Sequence, residues 1–205
     1  MELGDLKDAW TQYDKKLTEN LKLNEELFKK INFNNCKKEI QKPLYYEIFS
    51  VVFYFLILTF FVGASIRFIS EPKLFIPGFI SAFICLLFLI ITIIKINRFL
   101  TIDYYGSSVL KLQKDIAALN KLLIRFRKYE LISVPIVVVL FMPLLNKIFN
   151  NIDVYEHVKL YIIEIIFIIV LTYPATFWIY RNLYDNKFKN AEKLLSELNK
   201  FEKEE

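Results

Sequence analysis

The chain has 205 residues, of which 55% are hydrophobic and 24% are charged. This combination is typical of a chain with separate apolar and charged blocks rather than one mixed soluble domain. Four glycines and six prolines argue against a collagen-like or low-complexity polymer, and 17% aromatic residues argue against general disorder. Two cysteines and one histidine are too few for a disulfide framework or a histidine-rich metal site.

Four apolar blocks cover residues 48–66, 74–94, 131–146 and 160–180. A helix needs roughly 20 residues to cross the hydrocarbon core of a bilayer, and each block is near that length. The third block is the shortest, but Lys147 at its end can extend its side chain to the headgroups. Four such helices in a soluble protein would leave too little polar chain to cover them, so the sequence predicts four transmembrane helices.

We therefore expect an all-α polytopic membrane protein with four transmembrane helices and a cytoplasmic helical bundle. No strand or hairpin pattern competes with this interpretation. The predicted division is a cytoplasmic amphipathic helical region at 1–45, transmembrane helices at 46–69, 74–96, 131–149 and 158–180, a cytoplasmic amphipathic helix at 97–130 and a cytoplasmic amphipathic tail at 181–205.

The basic residues predict the orientation of these helices. Residues 1–45 hold nine of the 27, residues 95–130 hold eight and the tail from 181 holds six, whereas 67–73 and 147–159 hold two each. Because lysine and arginine concentrate in cytoplasmic loops, we expect both termini and the middle segment in the cytoplasm. The charged N-terminal region does not resemble a cleavable signal peptide, so we expect the first span to remain as an anchor.

Each cytoplasmic segment carries apolar residues at the helical spacing of three and four. The first stripe weakens at Asn20 and Asn24, and the middle stripe follows a coiled-coil heptad with Gly106 near its start. Since none of the three can bury its stripe alone, we expect them to pack together. The stripes consist of Leu3, Leu6, Trp10, Tyr13 and Leu17; of Ile102, Tyr105, Val109, Leu112, Ile116, Leu119, Leu123 and Phe126; and of Tyr184, Phe188, Ala191, Leu195 and Leu198.

Trp10, Tyr13 and Leu17 are the candidate partner-binding residues. Aromatic residues supply much of the energy when an amphipathic helix binds a groove. We expect these three side chains either to complete the bundle or to bind a cytoplasmic protein partner.

A basic group lies just before the third span, at Lys121, Arg125, Arg127 and Lys128. In that place it would contact anionic lipid headgroups. Elsewhere the cytoplasmic charges alternate in sign, and a nucleic-acid surface normally concentrates positive charge more strongly. We therefore expect contact with the bilayer and no direct binding of nucleic acid.

Glu164 is the only acidic residue inside an apolar block, roughly 6 Å along the helix from Leu160. A charge in hydrocarbon is costly unless it is paired, protonated or hydrated. Two interpretations remain open: an intramembrane proton or cation site, or a carboxylate near the headgroups with His157 or Lys159 as a neighbour.

Pro135, Pro143 and Pro174 remove backbone donors within the third and fourth spans. Transporters use broken helices at binding sites, but kinks are also common in packed helices, and we favour packing. Small residues at helical spacing in the second span allow close helix contact, either within one chain or between copies in a homo-oligomer. These small residues are Gly78, Ser81, Ala82 and Cys85.

The sequence contains no glycine-rich phosphate loop, paired intramembrane aspartates, zinc-type cysteine spacing or serine–histidine constellation. We therefore expect no enzyme activity, no catalytic residue, no metal and no cofactor. Cys36 is expected to be a free cytosolic thiol, and Cys85 a packing residue.

Three N-terminal motifs, LGDLKDAW at 3–10, LKLNEEL at 21–27 and KPLYYE at 42–47, resemble small uncharacterised four-span membrane proteins of Bacteroidota. Some of those proteins are encoded beside extracytoplasmic-function sigma factors. The resemblance covers the first 47 residues and the hydropathy layout. Its motifs carry no known catalytic residues, so the resemblance implies a context, that of a bacterial inner membrane protein, rather than a mechanism.

Two functions compete on these observations. The first is a membrane-anchored regulator or scaffold whose cytoplasmic helices bind another protein, with a sigma factor as one candidate. The second is a small transporter or channel subunit, which the prolines and Glu164 favour but which leaves the cytoplasmic helices unexplained.

Overall fold

The computed structural model describes residues 3–204, with side chains over 10–200, so the side chains of Leu3 and Leu6 lie outside the described part. Residues 3–204 form helices and short connections and contain no strand. The α-helices are α1 (Leu3–Arg67), α2 (Pro72–Leu100), α3 (Val109–Leu145), α4 (Val158–Tyr180) and α5 (Asn186–Glu204). Two π-helical turns continue the helical path, at Asn146–Asn150 after α3 and at Arg181–Asp185 between α4 and α5.

Four helical stretches of the described chain are long and apolar enough to cross a membrane, as predicted. They lie in α1, α2, α3 and α4, and their most apolar windows have mean hydropathies between 2.1 and 2.8. Many of their large apolar side chains face outward, for example Phe49 and Phe167. Lipid tails would cover such surfaces, and the four helices indicate an integral membrane protein.

Helix α1 is one continuous element of 65 residues, roughly 97 Å long at 1.5 Å per residue. The expected boundary between a cytoplasmic region and the first span at 45/46 is therefore not a break in the helix. Pro43 lies within α1 and is fully buried. A proline removes only its own backbone donor, so the helical path can continue on both sides of it.

The expectation of one helix over 97–130 is wrong at its start. Helix α2 continues to Leu100, and α3 begins only at Val109. Between them the Asp103 carboxylate accepts hydrogen bonds from the backbone N–H groups of Tyr105 and Gly106 at 3.2 and 2.9 Å. These two bonds lower the pKa of Asp103. They hold the chain in a turn, because the side-chain acceptor competes with helical hydrogen bonds.

A large cluster of buried side chains joins α1, the end of α2, the first half of α3 and α5. It contains the predicted stripe of α3 from Val109 to Leu123 and the whole predicted tail stripe, so these two surfaces pack in one cluster, which holds no described residue of the first stripe. Tyr105 is 55% exposed and does not belong to it. The members of the large cluster are Cys36, Ile40, Phe99, Ile102, Tyr104, Val109, Leu112, Ile116, Leu119, Leu123, Tyr184, Phe188, Ala191, Leu195 and Leu198.

A second, smaller cluster lies among the apolar stretches, where α2 packs closely on α1. A Cβ atom added to Gly78 would lie 2.5 Å from Ser65 Oγ, so only glycine fits there without movement of Ser65. The Cys85 thiol donates a hydrogen bond to the Tyr54 carbonyl at 3.2 Å. Gly78 and Cys85 of the second span therefore make contacts within one chain, and contact between copies in a homo-oligomer stays a prediction. The members of this cluster are Phe61, Ala64, Leu74, Cys85 and Leu144.

Candidate functional site

The N-terminal part of α1, residues 10–31, forms an arm whose apolar stripe is exposed. Trp10 is 70% exposed, Tyr13 65% and Leu17 46%. None of the three belongs to the large cluster, which takes its α1 residues only from Cys36 onward. The structure therefore separates the candidate partner-binding residues from the packed helices.

A buried ionic cluster, formed by Glu47, Lys95, Glu130, Tyr180 and Tyr184, joins α1, α2, α3 and the α4–α5 connection. Lys95 Nζ lies 3.3 Å from Glu47 Oε1 and donates a hydrogen bond to Glu130 Oε1. The Tyr184 hydroxyl donates to Glu47 Oε1 at 3.0 Å, and the Tyr180 hydroxyl donates to Glu130 Oε2. The Glu47, Lys95 and Glu130 side chains are 3, 5 and 14% exposed.

Two tyrosines complete this cluster: Tyr180, at the end of α4, binds Glu130 of α3, and Tyr184, in the second π-helical turn, binds Glu47 of α1. Burial raises the pKa of Tyr184, so this side chain is a neutral hydrogen-bond donor. The arrangement joins all four apolar helices at one end through polar contacts rather than apolar packing alone.

The ionic cluster was not predicted from the sequence, although the sequence contains a signal for it. Glu47, Lys95 and Glu130 each stand directly beside an apolar block, and the predicted topology places all three at the same membrane boundary. Ionisable residues that four helices bring to one level are natural partners, since buried charges are retained mainly when they are paired.

Arg127 has a protein partner next to this cluster. Its guanidinium forms two hydrogen bonds with the Asp185 carboxylate, at 3.0 and 2.6 Å, and lies 4.7 Å from the centre of the Tyr180 ring. The predicted headgroup contacts of Lys121, Arg125 and Lys128, which are all exposed, stay predictions.

The prolines of α3 are matched by tyrosines of α4. Pro135 and Pro143 have no N–H to donate to the carbonyls four residues earlier, those of Leu131 and Val139. The Tyr173 hydroxyl donates to the Leu131 carbonyl at 2.8 Å, and the Tyr161 hydroxyl donates to the Val139 carbonyl. Each carbonyl that a proline leaves without its helical donor thus receives one from the neighbouring helix.

Glu164 accepts a hydrogen bond from the Asn146 side-chain amide at 2.9 Å. This partner comes from the first π-helical turn, whereas the sequence pointed to His157 or Lys159 as neighbours. Together with the tyrosines, the contact gives α3 and α4 a series of polar links along their length. The sequence did not reveal it, because Asn146 lies 18 residues away.

Both cysteines are free and buried thiols. Burial raises the pKa of Cys36 to about 12, so this thiol stays protonated at neutral pH. Within the described part of the chain, no group of three His, Cys, Asp or Glu side chains is placed to hold a metal ion.

The fold indicates a helical integral membrane protein with four helices long and apolar enough to cross a bilayer. No family model, curated protein or solved structure matches the chain.

Proposed function

We propose that this protein is a non-enzymatic membrane regulator or scaffold that binds a cytoplasmic protein through the arm. The observation that carries the proposal is the exposed stripe of Trp10, Tyr13 and Leu17 on a helix that continues into the membrane. The apolar stripes of α3 and α5 cover each other in the large cluster, whereas the stripe of the arm remains accessible. Exposed aromatic residues at helical spacing fit helix-in-groove recognition.

The length of α1 favours a partner in solution over a lipid surface. Trp10 lies 38 residues before Ile48, the first residue of the apolar block, which corresponds to about 57 Å along the helix axis. The arm also carries five lysines against four acidic residues, a balance that gives no strong attraction to nucleic acid. Apolar contact with a protein is the interaction that remains.

We place the arm and the large cluster in the cytoplasm, with both termini, and the apolar helices in a bacterial inner membrane. The support for this orientation is the concentration of basic residues in 1–45, 95–130 and the tail from 181. The resemblance to proteins encoded beside extracytoplasmic-function sigma factors makes a sigma factor the first candidate partner.

The test is photo-crosslinking from the arm of full-length protein in native membranes. Truncation of a central aromatic anchor typically costs about 2 kcal/mol, roughly 30-fold in affinity. We expect a Trp10→Ala, Leu17→Ala variant to lose its crosslinked cytoplasmic protein while it still inserts in the membrane. A matched variant, Lys15→Ala, Lys22→Ala, changes the opposite face of the same helix and should keep the partner. An unchanged crosslinking pattern in the first variant would refute the proposal.

A small transporter or channel subunit is the second candidate function, and the contact between Asn146 and Glu164 favours it, because it places a polar pair between two apolar helices. The prolines lend it less support than the sequence suggested, since interhelical hydrogen bonds account for Pro135 and Pro143. Proton or cation flux into vesicles that contain the purified protein, lost on Glu164→Gln, would favour this function over the first.

A further inference from the structure

The charges of the buried ionic cluster do not balance. Glu47 and Glu130 are two carboxylates that share one ammonium group, that of Lys95. The neighbouring Arg127 and Asp185 compensate each other and supply no net charge. If both glutamates were ionised, one negative charge would remain in a place where the Glu47 side chain is only 3% exposed. A buried charge without a counter-charge is costly, and such a group tends to take up a proton instead.

The hydrogen bonds differ between the two glutamates. Glu130 receives donors on both carboxyl oxygens, from Lys95 on Oε1 and from the Tyr180 hydroxyl on Oε2, as expected for an ionised carboxylate. The Lys95 and Tyr184 contacts of Glu47 both fall on Oε1. This second pattern fits a neutral carboxyl group, whose Oε1 is the carbonyl oxygen and whose Oε2 carries the proton.

We propose that the ionic cluster is a proton-binding site, in which Glu47 of the folded protein holds one proton on Oε2 at neutral pH and Glu130 is the ionised partner of Lys95. The ligand is a single proton, held where α1 meets α2, α3 and the α4–α5 connection. The titratable groups that interact with Glu47 are Tyr54 from α1, Lys95 from α2, Glu130 from α3 and Tyr184 from the second π-helical turn. Tyr180 from α4 binds Glu130, and Arg127 and Asp185 pair with each other beside Tyr180.

Proton binding by the folded state gives the stability of the protein a defined dependence on pH. In the unfolded chain Glu47 would lose its proton near its ordinary pKa of about 4.3. Above that pH the unfolded chain has lost this proton. The folded protein holds one proton more than the unfolded chain for as long as Glu47 stays protonated. The stabilisation is complete below about pH 4.3 and is lost as the pH rises, with a tenfold change in the unfolding constant for each pH unit.

The decisive variants are Glu47→Gln and Glu130→Gln in the full-length protein in detergent micelles. Glutamine at 47 keeps the Oε1 acceptor for Lys95 and Tyr184 and imitates the protonated acid. It should therefore preserve folding and remove the tenfold-per-unit component of the pH dependence. Glutamine at 130 removes the second carboxylate, so Glu47 should release its proton and become the ionised partner of Lys95 in that variant. The tenfold-per-unit component should therefore disappear there as well, and its persistence would contradict the charge-balance argument.

Infrared spectroscopy detects the proton directly, because the carbonyl stretch of a carboxylic acid is separate from the bands of a carboxylate. We expect the wild-type protein at pH 7 to show an acid carbonyl band that is absent in Glu47→Gln. The proposal is overturned if that band is missing in the wild type, if it persists in Glu47→Gln, or if Glu47→Gln fails to fold. Parallel pH profiles of stability for the wild type and Glu47→Gln would also overturn it.

Discussion

The hydrogen bond from Tyr173 to the Leu131 carbonyl should stabilise the protein because Pro135 leaves this carbonyl without a helical donor. Tyr173→Phe removes the hydroxyl that lies 2.8 Å from this carbonyl and leaves the ring in place. Interhelical hydrogen bonds in membrane proteins average about 0.6 kcal/mol and reach about 1.7 kcal/mol. The Leu131 carbonyl has no helical donor, because residue 135 is proline, so we expect a cost of about 1 kcal/mol, between these limits.

The role of Pro135 is tested by a substitution that restores a backbone N–H at position 135. In Pro135→Ala the backbone of α3 can donate to the Leu131 carbonyl, and Tyr173→Phe should then cost much less. We expect the two changes to show a coupling energy of about 0.5–1 kcal/mol in a double-mutant cycle. Tyr161→Phe is the matched control, since its acceptor, Val139, precedes a different proline, and Pro135→Ala should leave its cost unchanged.

The assay is equilibrium unfolding, in mixed detergent micelles titrated with SDS, of six proteins: the four of the cycle, and Tyr161→Phe with and without Pro135→Ala. Helix content gives the free energy of unfolding for each variant. If the costs of Tyr173→Phe and Pro135→Ala simply add, the Leu131 carbonyl does not depend on Tyr173 and the reasoning is wrong. If Pro135→Ala also changes the cost of Tyr161→Phe, a general rearrangement of α3 explains the coupling better than a local hydrogen bond.

Three further predictions concern the large cluster and the topology. Leu119→Asp places a charge at a position only 4% exposed, so it should destabilise the large cluster by several kcal/mol before relaxation. The helices of this cluster should then be cut faster by a protease, and unchanged protection would place Leu119 on the surface. With its pKa at about 12, Cys36 should react slowly with alkylating reagents at pH 8 and quickly once SDS unfolds the protein. Above pH 9 the unfolded chain forms the thiolate more readily than the folded protein, so the stability of the fold should fall as the pH rises from about 9 towards 12. An impermeant thiol reagent should label a cysteine at Asn151 from outside intact cells but not one at Asn199, and the reverse pattern would refute the orientation.

The membrane helices and the stripes of α3 and α5 were predictable because their signals are local. An apolar block of about 20 residues has few alternatives to a transmembrane helix, and apolar residues at helical spacing must find cover. The buried residues Leu112, Ile116 and Leu195 follow from that spacing without knowledge of any partner. The start of α3 was less predictable, since the heptad pattern continues across the turn at Asp103 and competes with a side-chain hydrogen bond.

The polar contacts could not be read from the same patterns, because each depends on two distant positions. Glu47 and Lys95 look like ordinary charges at the ends of apolar blocks until the helices place them 3.3 Å apart. The tyrosines of α4 look like parts of a uniformly apolar helix until the prolines of α3 are considered with them. The rule that a proline frees the carbonyl four residues earlier would have identified Leu131 as an acceptor, but only the packing shows that Tyr173 supplies the donor.

The pair α1 and α2 and the pair α3 and α4 are held together by different kinds of contact. Helix α2 packs on α1 through small residues such as Gly78, which allow close approach, and the small cluster lies mainly between them. Helix α4 has no buried side chain over its length, so its place beside α3 depends on hydrogen bonds to α3 from Tyr161, Tyr173 and Tyr180. Lipid covers apolar side chains as well as a neighbouring helix does, whereas it cannot satisfy a free carbonyl. Hydrogen-bond donors at the right positions, rather than greater hydrophobicity, therefore decide where α4 sits.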